Sequence, residues 1–208
     1  MKLPAIALLA IGLSACADPI NGQTGAPRLA GGACEGCEAV LEYGSRRLRP
    51  VDTLPDFRDS GQGIRISGTV YESDGQTPAE GVVLYVYHTN GEGLYAAPAT
   101  ATGWARRHGA IRGWVRTGSD GRYTFYTLRP GVYPSRAAPA HIHVTLMERD
   151  GAYYWLEDYY FDDDPLLTAK ERTPAAPRGG SPGVLRLQPE GALRVAERNF
   201  ILRKNLPR

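Results

Sequence analysis

The feature that most constrains the fold is a series of short β-strand patterns separated by turn residues. The segment WVRTGSDGRYTFYTL, residues 114–128, alternates apolar and polar residues on both sides of Asp120-Gly121. Glycine adopts the positive φ that a tight hairpin turn requires, so this segment predicts a β-hairpin. A second pair of strand patterns, HIHVTLME and YYWLEDYYF, flanks residues 149–151. Repeated hairpins of this kind indicate an all-β fold.

Further strand patterns extend this prediction along the chain. IRISGTVY and VVLYVYH are rich in β-branched and aromatic residues, and GVLRLQ and RNFILRK follow near the end. The 25 glycines and 16 prolines of the 208 residues fall between such runs, and no long segment keeps a helical apolar period. The sequence therefore predicts a two-sheet β-sandwich. Loops 91–109 and 168–183 are long enough to line a functional site or to be disordered.

The first residues, MKLPAIALLAIGLSAC, resemble an export signal. One lysine precedes an apolar run that is shorter than the roughly 20 residues of a membrane span. The LSAC ending resembles a bacterial lipobox, in which Cys16 is acylated; the alternative is a plain secretory signal cut nearby. We expect a signal peptide over 1–15, a flexible Gly-rich tether over 16–33 and one folded domain over 34–208. The expected location is outside the cytoplasm, with the lipid anchor as the only membrane contact.

The charge of the chain argues against one broad class of partner. Its 24 basic and 22 acidic residues give a net charge of +2. Basic residues interleaved with aromatic residues are typical of nucleic-acid binding, and this sequence has no such block. A nucleic-acid partner is therefore not expected.

Two cysteines follow the lipobox, Cys34 and Cys37 in the sequence CEGC. In an oxidising compartment an even pair most simply forms a disulfide, here a short staple at the entrance of the domain. A thioredoxin-like redox site is the alternative, but it needs a preceding strand, and a Gly-rich segment precedes this motif. Because the other candidate residues come much later in the sequence, we expect this bridge to be structural and remote from the chemistry.

His141 and His143 are separated by one residue within a strand pattern. Successive side chains of a strand point to opposite faces, so both histidines fall on one face, roughly 7 Å apart at their Cα atoms. Alone they fit a solvated strand face or a zinc or copper pair. Tyr95 and Tyr133 add phenol oxygens, and phenolate is a hard anionic donor that suits Fe(III). Together the four side chains predict a ferric site.

Four motifs between Ile64 and Asp164 carry a resemblance to a known family. They are NGEGLY, TGSDGRYTFYTLRPGVYP, PAHIHV and YYFDDDPLL, in that order. On these motifs the chain resembles the intradiol ring-cleavage dioxygenases, the family of protocatechuate and catechol dioxygenases. The His-x-His that follows PGxYP is the specific signature, whereas DGxYxF also occurs in non-catalytic sandwiches.

The resemblance implies a site, a cofactor and a reaction. A mononuclear non-heme Fe(III) would be bound by Tyr95, Tyr133, His141 and His143, and no separate cofactor is implied. The substrates would be a catecholic compound and O2. Tyr133 would leave the metal and accept a substrate proton. The ring would open between the two hydroxyl-bearing carbons to give a muconate-type diacid.

Two positions depart from the family pattern. Ala138 stands where the family has an arginine, and Asp158 where it has a glutamine. Because a cation is lost and a carboxylate is gained, we expect an uncharged catechol to be preferred. Arg112 is the loop arginine expected to replace the missing cation, so the expected catalytic residues are Tyr133, Asp158 and Arg112. The other arginines considered for this role are Arg106, Arg107 and Arg136.

Two alternative functions fit the same sequence. A transthyretin-like or carboxypeptidase-regulatory-like module would bind a carbohydrate or a protein and would hold no iron. An iron-binding protein of the same fold would hold iron without ring cleavage. His88 and His108 are further candidates for the pocket, although a structural role is expected for both.

Overall fold

A computed structural model describes residues 24–58 and 63–207 of the chain. The expected signal peptide and Cys16 lie outside these residues. The strands are β1 (Arg28–Leu29), β2 (Val51–Thr53), β3 (Gly63–Tyr71), β4 (Val83–Tyr87), β5 (Arg112–Arg116), β6 (Arg122–Leu128), β7 (His141–Met147), β8 (Ala152–Trp155), β9 (Tyr159–Phe161), β10 (Val184–Leu185), β11 (Gln188–Glu190), β12 (Leu193–Glu197) and β13 (Phe200–Ile201). The helices are α1 (Ala105–His108), α2 (Ala169–Arg172) and 3-10 helices at Cys37–Leu41 and Arg178–Gly180. None of the helices in the described ranges is long and apolar enough to cross a membrane.

The strands form two sheets, which confirms the predicted β-sandwich. The first sheet has the order β1-β8-β7-β4-β5, and β9 extends it beside β7 with β10 as its further neighbour. The second sheet has the order β11-β12-β3-β6-β2, and β13 also pairs with β3. Strands β7 and β8 are antiparallel, with Met147 opposite Tyr153, so the hairpin predicted around residues 149–151 is confirmed.

The hairpin predicted around Asp120-Gly121 is wrong. Strand β5 pairs with β4 in the first sheet, whereas β6 pairs with β3 in the second, with Phe125 opposite Ile66. Gly121 has the positive φ of 68° that the turn needs, but the turn carries the chain from one sheet to the other. The alternation predicted the two strands but not their partners. Val115 and Phe125 both point into the core between the sheets, so the apolar pattern is the same whether the two strands pair with each other or face each other from opposite sheets.

The main hydrophobic core lies between the two sheets. The first sheet contributes every second residue of two central strands, among them Leu84, Val86, Ile142, Val144 and Leu146. The second sheet contributes residues such as Ile64, Ile66, Tyr123 and Phe125. Each such side chain stabilises the fold by about 1.5–3 kcal/mol on burial.

The outer face of the first sheet is also covered. The 3-10 helix Cys37–Leu41 packs there in a second apolar cluster with Tyr85, Trp114 and Met147. The indole N–H of Trp114 donates to the carbonyl oxygen of Ala39 at 3.2 Å. Strand β4 is therefore enclosed on both faces, which explains why its sequence is a continuous apolar run.

Of the flexible tether expected over 16–33, residues 16–23 lie outside the described residues, whereas residues 24–30 are paired with the domain. The Thr24 N–H donates to the carbonyl oxygen of Arg149 at 2.8 Å. Strand β1 runs parallel to β8, with Leu29 opposite Tyr153. The edge of a sheet offers unpaired backbone groups, so a segment without apolar periodicity can pair with it through its main chain alone.

Candidate metal centre

Four side-chain atoms converge on one point. Tyr95 Oη lies 2.9 Å from Tyr133 Oη, which lies 3.1 Å from His141 Nε2. His141 Nε2 is 3.2 Å from His143 Nε2, and His143 Nε2 is 3.0 Å from Tyr95 Oη. The structure thus brings the four sequence-predicted ligands together as a closed arrangement of two phenol oxygens and two imidazole nitrogens, here called the four-atom ring.

Strand β7 supplies both histidines of the ring. They lie on the outer face of the first sheet, since Ile142 between them is buried in the core of the sandwich. The Nδ1–H of His141 donates to the carbonyl oxygen of Pro139 at 2.7 Å, and that of His143 donates to Asp158 Oδ1 at 3.1 Å. Because both partners are acceptors, the proton is held on Nδ1 and each Nε2 directs a lone pair into the ring.

Two glycine-containing loops bring the tyrosines together. Gly93, with a φ of 80°, comes just before Tyr95, and Gly131 comes just before the loop residues that end in Tyr133. A Cβ at Gly93 would lie 1.8 Å from the carbonyl oxygen of Val132. A Cβ at Gly131 would lie 2.3 Å from a carbonyl oxygen of the opposite loop. The glycines of NGEGLY and PGVY are therefore needed for the close approach of the two loops.

Burial controls the protonation of the ring when no cation is present. It raises the pKa of Tyr95, and the neighbouring Tyr133 raises that pKa further. Burial also raises the pKa of Tyr133, against a smaller lowering by the hydrogen bond with Tyr95. It lowers the pKa of His141, which favours the neutral imidazole that binds metals. The phenols therefore keep their protons until a cation displaces them.

The spacing and chemistry of the ring fit a ferric ion. Two ligand atoms at right angles, each about 2 Å from an ion, are about 3 Å apart; neighbouring atoms of the ring are 2.9–3.2 Å apart. The two Nε2 lone pairs face each other, and each Nε2 also lies 3.0–3.1 Å from a phenol oxygen, so a cation at the centre could take all four atoms as ligands. Two phenolate oxygens add hard anionic donors, the type that Fe(III) prefers.

Comparison with known proteins decides which family this site belongs to. A family model described as dioxygenase matches residues 45–178, a segment that contains every residue of the four-atom ring. The chain belongs to the intradiol dioxygenase family. The family assignment made from the four motifs is thereby confirmed.

Relatives and solved structures agree with this family. Catechol 1,2-dioxygenase 1 of Acinetobacter lwoffii is 32% identical over 168 residues, which cover 73% of this chain and 51% of that protein. The chain spans about half the length of the curated relatives it matches. The structure of catechol 1,2-dioxygenase from Pseudomonas arvilla C-1 aligns with a TM-score of 0.55 and 17% identity, covering 86% of this chain and 58% of that one. The intradiol ring-cleavage dioxygenase from Tetranychus urticae aligns with a TM-score of 0.52 and 16% identity, covering 86% and 94%. These two structures show that the fold is that of the family.

Asp158 contacts a histidine of the four-atom ring. Burial raises the pKa of this carboxyl, but His143, His141 and Arg198 together lower it more, so the net pKa is below its usual value. Ligand atoms of Asp158 and the two histidines lie within 4.8 Å of one another. The carboxylate nevertheless accepts from Nδ1, on the far side of the His143 imidazole from the ring. It therefore orients His143 and increases the electron density on its Nε2.

Arg198 is a buried cation beneath Asp158 that the sequence reasoning missed. It is only 3% exposed. Its guanidinium donates to the carbonyl oxygens of Glu157 at 2.6 Å, Asp158 at 3.3 Å and Ser181 at 2.9 Å, and lies 4.6 Å from the ring centre of Phe200. It thus fixes the backbone that carries Asp158. No sequence signal pointed to it, because Arg198 stands between the polar residues Glu197 and Asn199 in the short connection from β12 to β13.

The candidate arginines differ in whether they line a cavity beside the four-atom ring. Arg112, which was expected to replace the family cation, pairs with Glu42 at 2.6 Å and is not among the residues that line the two cavities beside the ring. Arg106 and Arg136 are exposed. Arg107 lines a cavity of about 230 Å³ that reaches three residues of the ring. Arg107 is therefore the member of this group that brings a guanidinium to the site.

The two further histidines have different positions. His88 is buried, with its Nε2 2.7 Å from Thr127 Oγ1, and has a structural role. His108 lines the cavity and stacks on Tyr87 with ring centres 3.6 Å apart; Tyr87 in turn stacks on His143 at 4.5 Å. Burial lowers the pKa of both histidines to about 4. Tyr87 was not singled out from the sequence, because only the pairing of β4 with β7 places it opposite His143.

A disulfide joins Cys34 and Cys37 in the structure, but its expected remoteness from the site is wrong. Both cysteines line a cavity of about 300 Å³ together with His143 and Asp158. The physical reason is the packing of the 3-10 helix that begins at Cys37. This helix covers the outer face of the first sheet, which is the face that carries the histidines. Separation along the sequence therefore did not correspond to separation in space.

Proposed function

We propose that the protein is a non-heme Fe(III) intradiol dioxygenase that opens the ring of a catecholic aromatic with O2 to a muconate-type diacid. The observation that carries this proposal is the four-atom ring of two phenol oxygens and two imidazole nitrogens beside an open cavity. The ligands would be Tyr95, Tyr133, His141 and His143. A bound ferric ion would act as a Lewis acid that lowers the pKa of both catechol hydroxyls and orients the substrate.

The residues of the chain have separate roles in this reaction. Tyr133 lines the cavity, and its phenolate Oη is the group that accepts a catechol proton as the substrate enters. Burial raises the pKa of this phenol in the absence of a cation, so a Tyr133 phenolate released from the metal would readily take up a proton. Asp158 keeps His143 in its orientation through the Nδ1–H hydrogen bond. The rings of Tyr87 and Trp104 form walls against which an aromatic substrate can pack.

The proposal is tested by the colour, the iron content and the oxygen uptake of the purified protein. Protein from an iron-replete host should be red to brown with equimolar iron, because a phenolate bound to ferric iron absorbs visible light. Adding catechol should cause oxygen uptake and form a diacid. Tyr133→Phe should alter the visible band, because one phenolate is removed. A colourless protein that takes up no iron on reconstitution would support the non-catalytic module instead.

An iron-binding protein without ring cleavage is the second candidate. It is favoured by Ala138 and Asp158, positions at which the resemblance implies an arginine and a glutamine; of the two, Asp158 contacts His143 of the four-atom ring. This candidate predicts the coloured, iron-loaded protein but no oxygen uptake with any catechol. The oxygen-electrode measurement therefore separates the two candidates in one sample.

We also propose that the chain is exported and anchored to a bacterial membrane through a lipid on Cys16, with the domain on the periplasmic or the cell-surface side. The LSAC sequence after a short apolar run supports this. The N-terminal peptide of the cell-derived protein should have the mass of an acylated cysteine. Cys16→Ser should remove this mass and release the protein from the membrane fraction. An unmodified N-terminus at another residue would contradict lipidation and indicate a plain secretory signal.

A further inference from the structure

Glu35 and Arg107 form an ion pair at the opening of the cavity beside the four-atom ring. Both side chains line the cavity of about 230 Å³, together with Tyr95, Tyr133 and His143. The pair is open to solvent, with 72% of the Glu35 side chain and 64% of the Arg107 side chain exposed. The guanidinium at this opening is therefore already occupied by a carboxylate of the same chain.

The disulfide loop, residues 34–37, holds Glu35 in this position. Cys37 is buried in the apolar cluster on the outer face of the first sheet, which ties the loop to the domain. Gly36 has a φ of 85°, and a Cβ at this position would lie 2.7 Å from His108 Nε2. The loop therefore packs directly on α1, the helix that carries Arg107. The two charged side chains are held opposite each other by backbone packing.

We propose that Glu35 is a specificity-determining residue, which occupies the anion site of Arg107 and so disfavours catechols that carry a carboxylate. This inference rests on the proposed function. An unoccupied arginine would bind a substrate carboxylate through two parallel N–H···O hydrogen bonds. With Glu35 in place, such a carboxylate must displace Glu35 and then meets its negative charge. An uncharged catechol meets neither obstacle.

The size of this effect follows from the exposure of the pair. Solvent-exposed ion pairs are weak, so an incoming carboxylate can compete with Glu35. Glu35 nevertheless has the advantage of a tethered ligand, whose effective concentration is in the millimolar range. Glu35 should therefore shift the relative affinity for the two classes of catechol rather than exclude one of them.

The test is anaerobic binding of two catechols to the iron-loaded protein, followed by the change in the visible iron–phenolate band. The probes are catechol and protocatechuate, which differ by one carboxylate. Glu35→Gln should tighten protocatechuate binding about fivefold and leave the Kd of catechol unchanged. The double variant Glu35→Gln/Arg107→Gln should lose this gain, because the anion site itself is removed. The matched control is Glu38→Gln, an acid of the adjoining helix that does not line the cavity; its Kd values should equal those of the wild type.

Each outcome of this test has a separate meaning. If the ratio of the two Kd values is the same in the wild type and in Glu35→Gln, the inference is overturned while the proposed function stands. A gain that persists in the double variant also overturns it, since Arg107 would then not be the anion site. Absence of the visible band in every variant contradicts the proposed function instead. With oxygen present, the same change should appear in KM for protocatechuate and not in kcat.

Discussion

His143→Ala should leave the purified protein colourless and lower its iron content to background. The substitution removes one of the two imidazole donors of the four-atom ring and leaves the Asp158 carboxylate without its Nδ1–H partner. Removing the hydrogen-bond partner of a metal ligand typically lowers metal affinity 10- to 100-fold. Removing the ligand itself should therefore lower the affinity at least about 100-fold. The measurement is elemental analysis after reconstitution with iron, together with the visible spectrum.

A matched control is His88→Gln. His88 is a buried histidine with hydrogen-bond partners in Thr89 and Thr127, but it is not part of the ring. This variant should be less stable and should still hold equimolar iron. Full iron content in His143→Ala would show that the four-atom ring is not the metal centre.

Arg198→Met should lower the free energy of unfolding by about 3 kcal/mol, because three carbonyl oxygens lose their donor in a buried position. Two of them belong to Glu157 and Asp158, so the connection between β8 and β9 that carries Asp158 should become mobile. Iron affinity should then fall about 10- to 100-fold, as for other groups that hold a ligand in place. Denaturant unfolding of the iron-free protein and iron titration measure the two effects separately.

Arg186→Met is the control for this substitution. The Arg186 side chain is 79% exposed and pairs with Asp162 at the surface. Exposed pairs contribute about 1 kcal/mol or less, so this variant should unfold almost like the wild type and bind iron normally. If Arg198→Met were as stable as the wild type, the buried guanidinium would not be what fixes the backbone at Asp158.

The four side chains that converge in the four-atom ring could be predicted from the sequence because their signals are local. The His141-x-His143 spacing places two side chains on one face of any strand, whatever its partners. The tyrosines lie in motifs that contain Gly93 and Gly131. These two glycines allow the loops that carry the tyrosines to come into contact. Residue types and spacings of this kind can be recognised in the sequence without knowledge of the fold.

The features that were predicted wrongly or not predicted all depend on contacts between segments that are distant in the sequence. The strands around Gly121 have the predicted pattern, but their partners lie in different sheets, and alternation carries no information about pairing. The disulfide loop lies beside His143 because the N-terminal segment covers the outer face of a sheet formed much later in the chain. Arg198 reaches Asp158 from the last strands. Such tertiary contacts have no periodic signature.

The alternation of β7 has a consequence for the fidelity of folding. Ile142 and Val144 fill the core from one face of this strand, while His141 and His143 meet the ligand loops from the other. A slip of one residue in the pairing with β4 would push both imidazoles into the apolar interior and expose the aliphatic side chains. A misregistered chain would therefore lose the apolar packing of β7, so the burial that stabilises the fold also disfavours molecules with an incorrectly assembled centre.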